Sequence, residues 1–145
     1  MAVLLDSSVL VRMADSADPN AYVAAGAVVR LRTKSEELVL ARQVLYEYWA
    51  VVTRPAHQNG LGLAVADARR DIEDFKQRYT VPLDPELLLD TWLGLVAGSR
   101  VVGKTSHDAR LVALMVCLKI PTVLTFNTDH FSLFTEVHAL HPKDV

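Results

Sequence analysis

The sequence predicts an α/β fold, a three-layer α/β/α sandwich around a central parallel sheet, with residues 1–145 forming a single domain. Three observations predict it. Short, almost wholly apolar runs recur, the mark of strands buried on both faces. Between them lie longer segments whose apolar residues repeat every three or four positions, the mark of amphipathic helices. The chain has 145 residues, 51% of them hydrophobic, enough for one substantial core.

The first run is "AVLL" (Ala2–Leu5), and an acid, Asp6, ends it. Asp6 with Ser7 and Ser8 also suits a polar turn. Residues 20–33 predict a helix and "ELVLA" (Glu37–Ala41) the second strand. In "ARQVLYEYWAVVTRP", Val44, Tyr48, Val51 and Val52 form a helical stripe that Pro55 stops. Ala68, Ile72, Phe75 and Tyr79 form the stripe of the next helix. "YTVPL" (Tyr79–Leu83) is a less regular strand candidate, because Pro82 suits an edge or a connection. Asp84 and Pro85 predict a helix start, as N-cap and first helical residue. Leu88, Trp92, Leu95 and Val96 are its stripe and Gly98 its stop. Ser106 is the predicted N-cap of a helix containing Asp108. "TVLT" (Thr122–Thr125) repeats the buried-strand pattern, and "EVHAL" (Glu136–Leu140) alternates as an edge strand does. Strands alternating with helices are what a parallel sheet requires.

Composition narrows the function classes. The 15 Lys plus Arg nearly balance 17 Asp plus Glu, a net charge of −2, so the total does not mark a strongly basic nucleic-acid binder. The single Cys117 cannot form an internal disulfide and reads as a core thiol. Charged residues interrupt every apolar stretch, so none spans a bilayer, and "MAVLLDSSVL" has neither a basic leader nor a cleavage site. The expectation is a soluble cytoplasmic protein.

Four acids stand where bulk solvation does not explain them. Asp6 ends a buried strand, and in open α/β sheets the ligand crevice lies outside the carboxyl ends of the strands. Glu47 lies three residues after Val44 and four before Val51, on the apolar stripe of its helix, where a carboxylate must be paired, metal-bound or at the stripe's rim. An ion pair with Arg42, Arg54 or Arg110 would serve equally. Asp108 precedes Leu111 and Val112 by three and four residues. The helix macrodipole favours an acid in a first turn by about 0.3–1 kcal/mol, but does not require the apolar side. "VLTFNTDHF" follows a buried strand and offers Asn127, Asp129 and His130. The other acids, including Asp67, Asp71, Glu73, Asp74 and Asp90, fall among basic residues or on polar faces and read as solvated. Carboxylates gathered at one sheet edge repel, and a divalent cation relieves the repulsion. Oxygen ligands without a Cys or His pair favour Mg²⁺ or Mn²⁺, ions suited to phosphoryl chemistry.

"LLDSSVLVRMAD", "QVLYEYWAVVTRP", "SHDARLVALM" and "VLTFNTDHF" occur in the order found in PIN-domain ribonucleases, and from Ala2 to about Leu140 the chain resembles a VapC-type toxin of a bacterial toxin–antitoxin pair. The resemblance implies an α/β/α sandwich that binds Mg²⁺ or Mn²⁺ at an acidic cluster and hydrolyses RNA. It makes Asp6, Glu47 and Asp108 site residues. In the last motif it puts Asn127 at the usual acid position and His130 just before Phe131. Asp129, at a variable position, is the preferred fourth acid because its charge would assist a metal, with Asn127 as the alternative. Ser8 would orient Asp6. Arg12, Arg54, Lys104 and Arg110 lie near these motifs and offer phosphate contacts, or are solvated surface charge. The resemblance also implies a homodimer and an antitoxin partner, held in a groove between helices; the apolar faces of Val44–Val52 and Ala68–Tyr79, with Tyr46, Tyr48, Trp49 and Phe75, are the candidates.

Two other classes fit some of these residues. A phosphatase or phosphotransferase would use Asp6 as nucleophile, but "DSSVL" lacks the second aspartate that such chemistry needs. A non-catalytic binding module would spend the acids on structural salt bridges.

Overall fold

The computed structural model describes residues 1–145. Four strands form one parallel sheet: β1 (Ala2–Leu5), β2 (Glu37–Val39), β3 (Thr122–Leu124) and β4 (His138–Leu140), in the order β2-β1-β3-β4. The register pairs Leu4 with Val39 on one side and with Val123 on the other, while β3 pairs with β4. Two of the buried apolar runs, β1 and β3, are the central strands, while the third, β2, and the alternating segment, β4, are the edges. The chain leaves β1 for β2 on one side and later returns to place β3 on the other. The carboxyl ends of β1 and β3 consequently flank the topological switch point, where open α/β sheets form their crevice.

Six helices flank the sheet: α1 (Ser7–Ala14), α2 (Ala21–Thr33), α3 (Arg42–Thr53), α4 (Val65–Arg78), α5 (Leu88–Gly98) and α6 (Thr105–Leu118). α1 packs on α2 and α3, α3 on α4, and α5 on α6. The core holds 31 residues, among them Leu4, Leu5, Leu40, Val44, Tyr48, Leu114 and Leu124, all fully enclosed. Leu111, Val112 and Met115 carry α6 onto the sheet, as their spacing predicts.

Several expectations change. The residues after Asp6 are no isolated turn but the first turn of α1, a helix the sequence reading did not assign. Thr80 makes a single parallel bridge to Val39, so Tyr79–Leu83 is a connection and not a strand. α5 starts at Leu88 with Leu87 as its cap: a turn over Glu86 and Leu87, closed by the Leu88 N–H on the Pro85 carbonyl, precedes it, and the Asp84 carboxylate pairs with Arg110 at 2.9 Å. Ser106 lies inside α6, whose cap is Lys104; the Ser106 carbonyl accepts the Trp92 indole N–H at 2.9 Å. Asp71 is not merely solvated: it accepts the Tyr48 hydroxyl at 2.6 Å, clipping α4 to α3. Cys117 is half-buried, with its thiol 3.4 Å from the Thr91 hydroxyl.

Candidate active site

Asp6 occupies the N-cap position of α1 in extended conformation, yet its side chain caps nothing. Its backbone N–H instead extends the sheet by donating to the Leu124 carbonyl at 3.0 Å, and its carbonyl accepts from the Val9 N–H. The carboxylate, in a residue only 7% exposed, accepts two hydroxyls at one oxygen, Ser8 at 2.7 Å and Thr125 at 2.8 Å. Each hydroxyl oxygen in turn accepts a backbone N–H from the loop after β3. Phe126 donates to Ser8 at 3.1 Å and Asn127 to Thr125 at 2.9 Å. Every hydroxyl proton is thereby assigned, and the other Asp6 oxygen accepts no hydrogen bond. A carboxylate fixed this way cannot rotate without breaking the join between the ends of β1 and β3. Ser8 acts on Asp6 as the sequence suggested; Thr125, fully buried, was missed. Its signal was present, a hydroxyl two residues before Asn127 at the end of a buried strand.

Glu47 comes from the middle of α3 and is half-buried. One oxygen accepts the Ser7 hydroxyl at 2.9 Å, the other the Gln43 amide at 2.8 Å. No arginine or lysine pairs with it. The three candidate ion-pair partners are otherwise placed: Arg110 is committed to Gln43 and Asp84, both at 2.9 Å, and neither Arg42 nor Arg54 forms a salt bridge.

Asp108 stands in the first turn of α6, half-buried. Burial pushes its carboxyl above the ordinary range; the His130 and His107 imidazoles pull it back, and the charges of Asp6 and Glu47 push it further up. Its one close basic neighbour is the His130 ring, with Nδ1 3.8 Å from Oδ2. Strand end, α3 and α6 thus bring Asp6, Glu47 and Asp108 into one electrostatic cluster.

The loop after β3 closes the site's fourth side. Asn127 is half-buried beside Thr125. Asp129 opens a short 3₁₀ turn (Thr128–Phe131), is exposed, makes no side-chain hydrogen bond, and is not among the charges that act on Asp108. The charge that favoured Asp129 in the sequence is therefore turned toward solvent, and its neighbour His130 is the residue that reaches the acids.

The donor set suits a hard divalent cation. No lysine or arginine pairs with any of the three acids, and burial first, with the charges of Asp6 and Glu47 adding to it, raises the Asp108 carboxyl. No three His, Cys, Asp or Glu side chains form a ready coordination cage. Mg²⁺ does not need one, since it keeps several waters and binds through one or two carboxylates. Among the basic candidates, Arg54 and Lys104 are exposed, whereas Arg12 lies 4.4 Å over the Phe126 ring and donates to the Ser8 carbonyl.

Fold and cluster together define a parallel α/β domain with carboxylates at its switch point. The PIN domain family model matches residues 3–136, and the chain belongs to that family. No curated protein matches it in sequence. Among solved structures it resembles VapBC2 from Rickettsia felis bound to a DNA fragment from its promoter, with a TM-score of 0.74, 13% identity, and 97% and 98% of the two chains covered. It also resembles VapBC-1 from nontypeable Haemophilus influenzae, with a TM-score of 0.69, 17% identity and 98% of both chains covered. A third is VapC20 of Mycobacterium tuberculosis, described as a sarcin-ricin loop cleaving toxin, with a TM-score of 0.61, 21% identity, and 93% and 98% covered. At these identities the likeness concerns the fold.

Proposed function

We propose that the protein is a metal-dependent endoribonuclease and the toxin of a toxin–antitoxin pair. One observation carries this reading: in a PIN-domain chain, Asp6, Glu47 and Asp108 converge at the sheet's switch point with no arginine or lysine to neutralise them. Asp6, Asp108 and Glu47 would hold Mg²⁺ or Mn²⁺, with Asn127 as a neutral fourth ligand and Asp129 as the alternative. When bound, the ion supplies a water of lowered pKa and stabilises the developing charge on the leaving oxygen. The chain's own residues do the rest. Ser8 and Thr125 fix the Asp6 carboxylate, Ser7 and Gln43 fix Glu47, and Glu47 would bind the metal or orient the attacking water.

The phosphatase alternative is weaker, since neither partner of the Asp6 carboxylate is acidic: they are Ser8 and Thr125. A binding module that uses its acids in salt bridges is disfavoured by the missing lysine and arginine partners. The related VapBC assemblies suggest a cognate antitoxin for this chain, and a cytoplasmic site of action agrees with an RNA substrate. No helix is long and apolar enough to cross a membrane.

The test is cleavage of single-stranded or loop RNA by purified protein with Mg²⁺ or Mn²⁺, with and without EDTA. Metal-dependent cutting that Asp108→Asn abolishes while the variant stays folded is expected. Undiminished cutting by that variant would assign the activity to a contaminant.

A further inference from the structure

Gln43 has no place in the acidic cluster, yet it is buried, 8% exposed, one turn before Glu47. Its amide is fully specified by its surroundings. The Arg110 guanidinium can only donate, so the oxygen faces it, at 2.9 Å. A carboxylate and a carbonyl can only accept, so the nitrogen faces Glu47 Oε1 at 2.8 Å and the His107 carbonyl at 2.9 Å. The flipped amide would leave Arg110 donating to a donor and two acceptors without protons, so one orientation is allowed. Arg110 is itself held by Asp84 at 2.9 Å.

The two acceptors are the point. Glu47 belongs to α3, and the His107 carbonyl lies one residue before Asp108, in the first turn of α6. One amide thus sets the rotamer of one acid and ties it to the backbone that carries another. Resting on the nuclease reading above, we propose that Gln43, locked by Arg110, is the positioning residue that holds Glu47 at a fixed place relative to Asp108. Gln43 itself touches neither RNA nor metal; it acts through Glu47. Partners of this kind change activity by about 10- to 100-fold when removed.

The metal-free protein supplies the first test. By NMR, the Gln43 side-chain amide protons are expected to be shifted downfield and slow to exchange, and to lose both properties in Glu47→Ala and in Arg110→Met. A freely exchanging Gln43 amide in the wild type would overturn the proposal, whatever the protein cleaves. The second test is kinetic. Gln43→Leu keeps the side chain's bulk and removes its hydrogen bonds. A kcat about 10- to 100-fold lower is expected, with KM for RNA nearly unchanged and Tm lowered, because Glu47, the His107 carbonyl and Arg110 each lose a partner. A Gln43→Leu protein that cuts RNA at the wild-type rate would overturn the proposal. So would a loss confined to KM, which would mark a phosphate contact. If Gln43→Leu fails to fold, Arg110→Met takes its place, with a smaller kcat loss expected and an unchanged kcat counting against the lock. Wild-type protein that cleaves no RNA while its Gln43 amide is protected would refute the nuclease reading and leave the network standing.

Discussion

Asp108 carries the largest cost of the site in the metal-free chain. Its carboxyl titrates above the ordinary value, first because it is buried and then because Asp6 and Glu47 surround it with like charge. A group raised on folding stabilises the protonated fold. That contribution is complete below the unfolded carboxyl pKa, roughly 3.9, and is lost as pH rises through the folded value. Without metal, Tm is therefore expected to fall over that window, and Asp108→Asn to flatten the fall. At pH 7 the variant is expected to melt above the metal-free wild type, because it carries no carboxylate to desolvate there. Mg²⁺ should raise the Tm of the wild type and not of the variant, while RNA cleavage by the variant drops by more than about 100-fold, beyond what loss of an outer partner brings. Melting curves across pH, with and without Mg²⁺, measure the three thermal effects, and an RNA cleavage assay the fourth. Asn127 and Asp129 pose charge against placement. Burial favours Asn127 over Asp129, because a charge exposed to water is screened. Asn127→Ala is expected to lose more cleavage activity than Asp129→Ala, and the reverse order would return the fourth position to Asp129.

The elements explain what could be read from the chain and what could not. α3, α4 and the body of α6 were legible because their apolar stripes span three or more turns, and the strands because wholly apolar runs ended at polar residues. Helix starts were not. Asp6, Asp84 and Ser106 all have N-cap chemistry, but the Asp6 and Asp84 carboxylates are drawn into longer-range contacts, with Thr125 and Arg110, and α6 starts upstream of Ser106, whose N–H already donates to the Gly103 carbonyl. Local propensity is worth about 1 kcal/mol per cap, and such contacts override it. The same logic hid Thr125, whose role depends on β1 and β3 being neighbours, a fact of topology. Thr125→Val keeps the shape and removes the hydroxyl. Asp6 loses a donor and the Asn127 N–H its acceptor, so a stability loss of about 1–3 kcal/mol is expected. RNA cleavage should drop by roughly tenfold or more. Denaturant unfolding and single-turnover cleavage measure the two effects. In the α3–α4 connection, a Cβ at Gly60 would stand 1.9 Å from the Arg54 carbonyl oxygen. Gly60→Ala is thus expected to lower Tm by shifting the loop, with little effect on cleavage per folded molecule.

At the scale of the molecule, part of the apolar surplus lies where the sequence suggested, in a groove lined by Leu45, Tyr46, Trp49 and Ile72 between α3 and α4, and part lies on α5. Tyr48 and Tyr79 are buried and Trp49 and Phe75 half-buried, so α3 and α4 spend most of their aromatic surface on the core; only Tyr46 stays largely exposed. α5 does not. Leu89 and Leu93, four apart on that helix, are 69% and 55% exposed, and Leu83 and Leu87 just before it are exposed as well. Leu89 also lines a cleft of about 410 Å³ with Leu88, Trp92 and Arg110. A helix apolar on nearly all sides belongs in an interior, and contiguous exposed apolar surface marks an interaction site. A homodimer with α5 at its centre is the arrangement expected to cover it. Sedimentation should give twice the chain mass for the wild type and a monomer for Leu89→Lys/Leu93→Lys, with the fold retained by circular dichroism. The dimer, the acids and the antitoxin are separable, which makes the toxin role testable in cells. Expression of the wild type should arrest growth, Asp6→Ala should not, and co-expression of a small neighbouring reading frame should restore growth and yield a co-purifying complex. Harmless expression of an active wild-type nuclease, or the absence of any neighbouring protein that binds it, would remove the toxin role and leave the nuclease reading to stand on the acids alone.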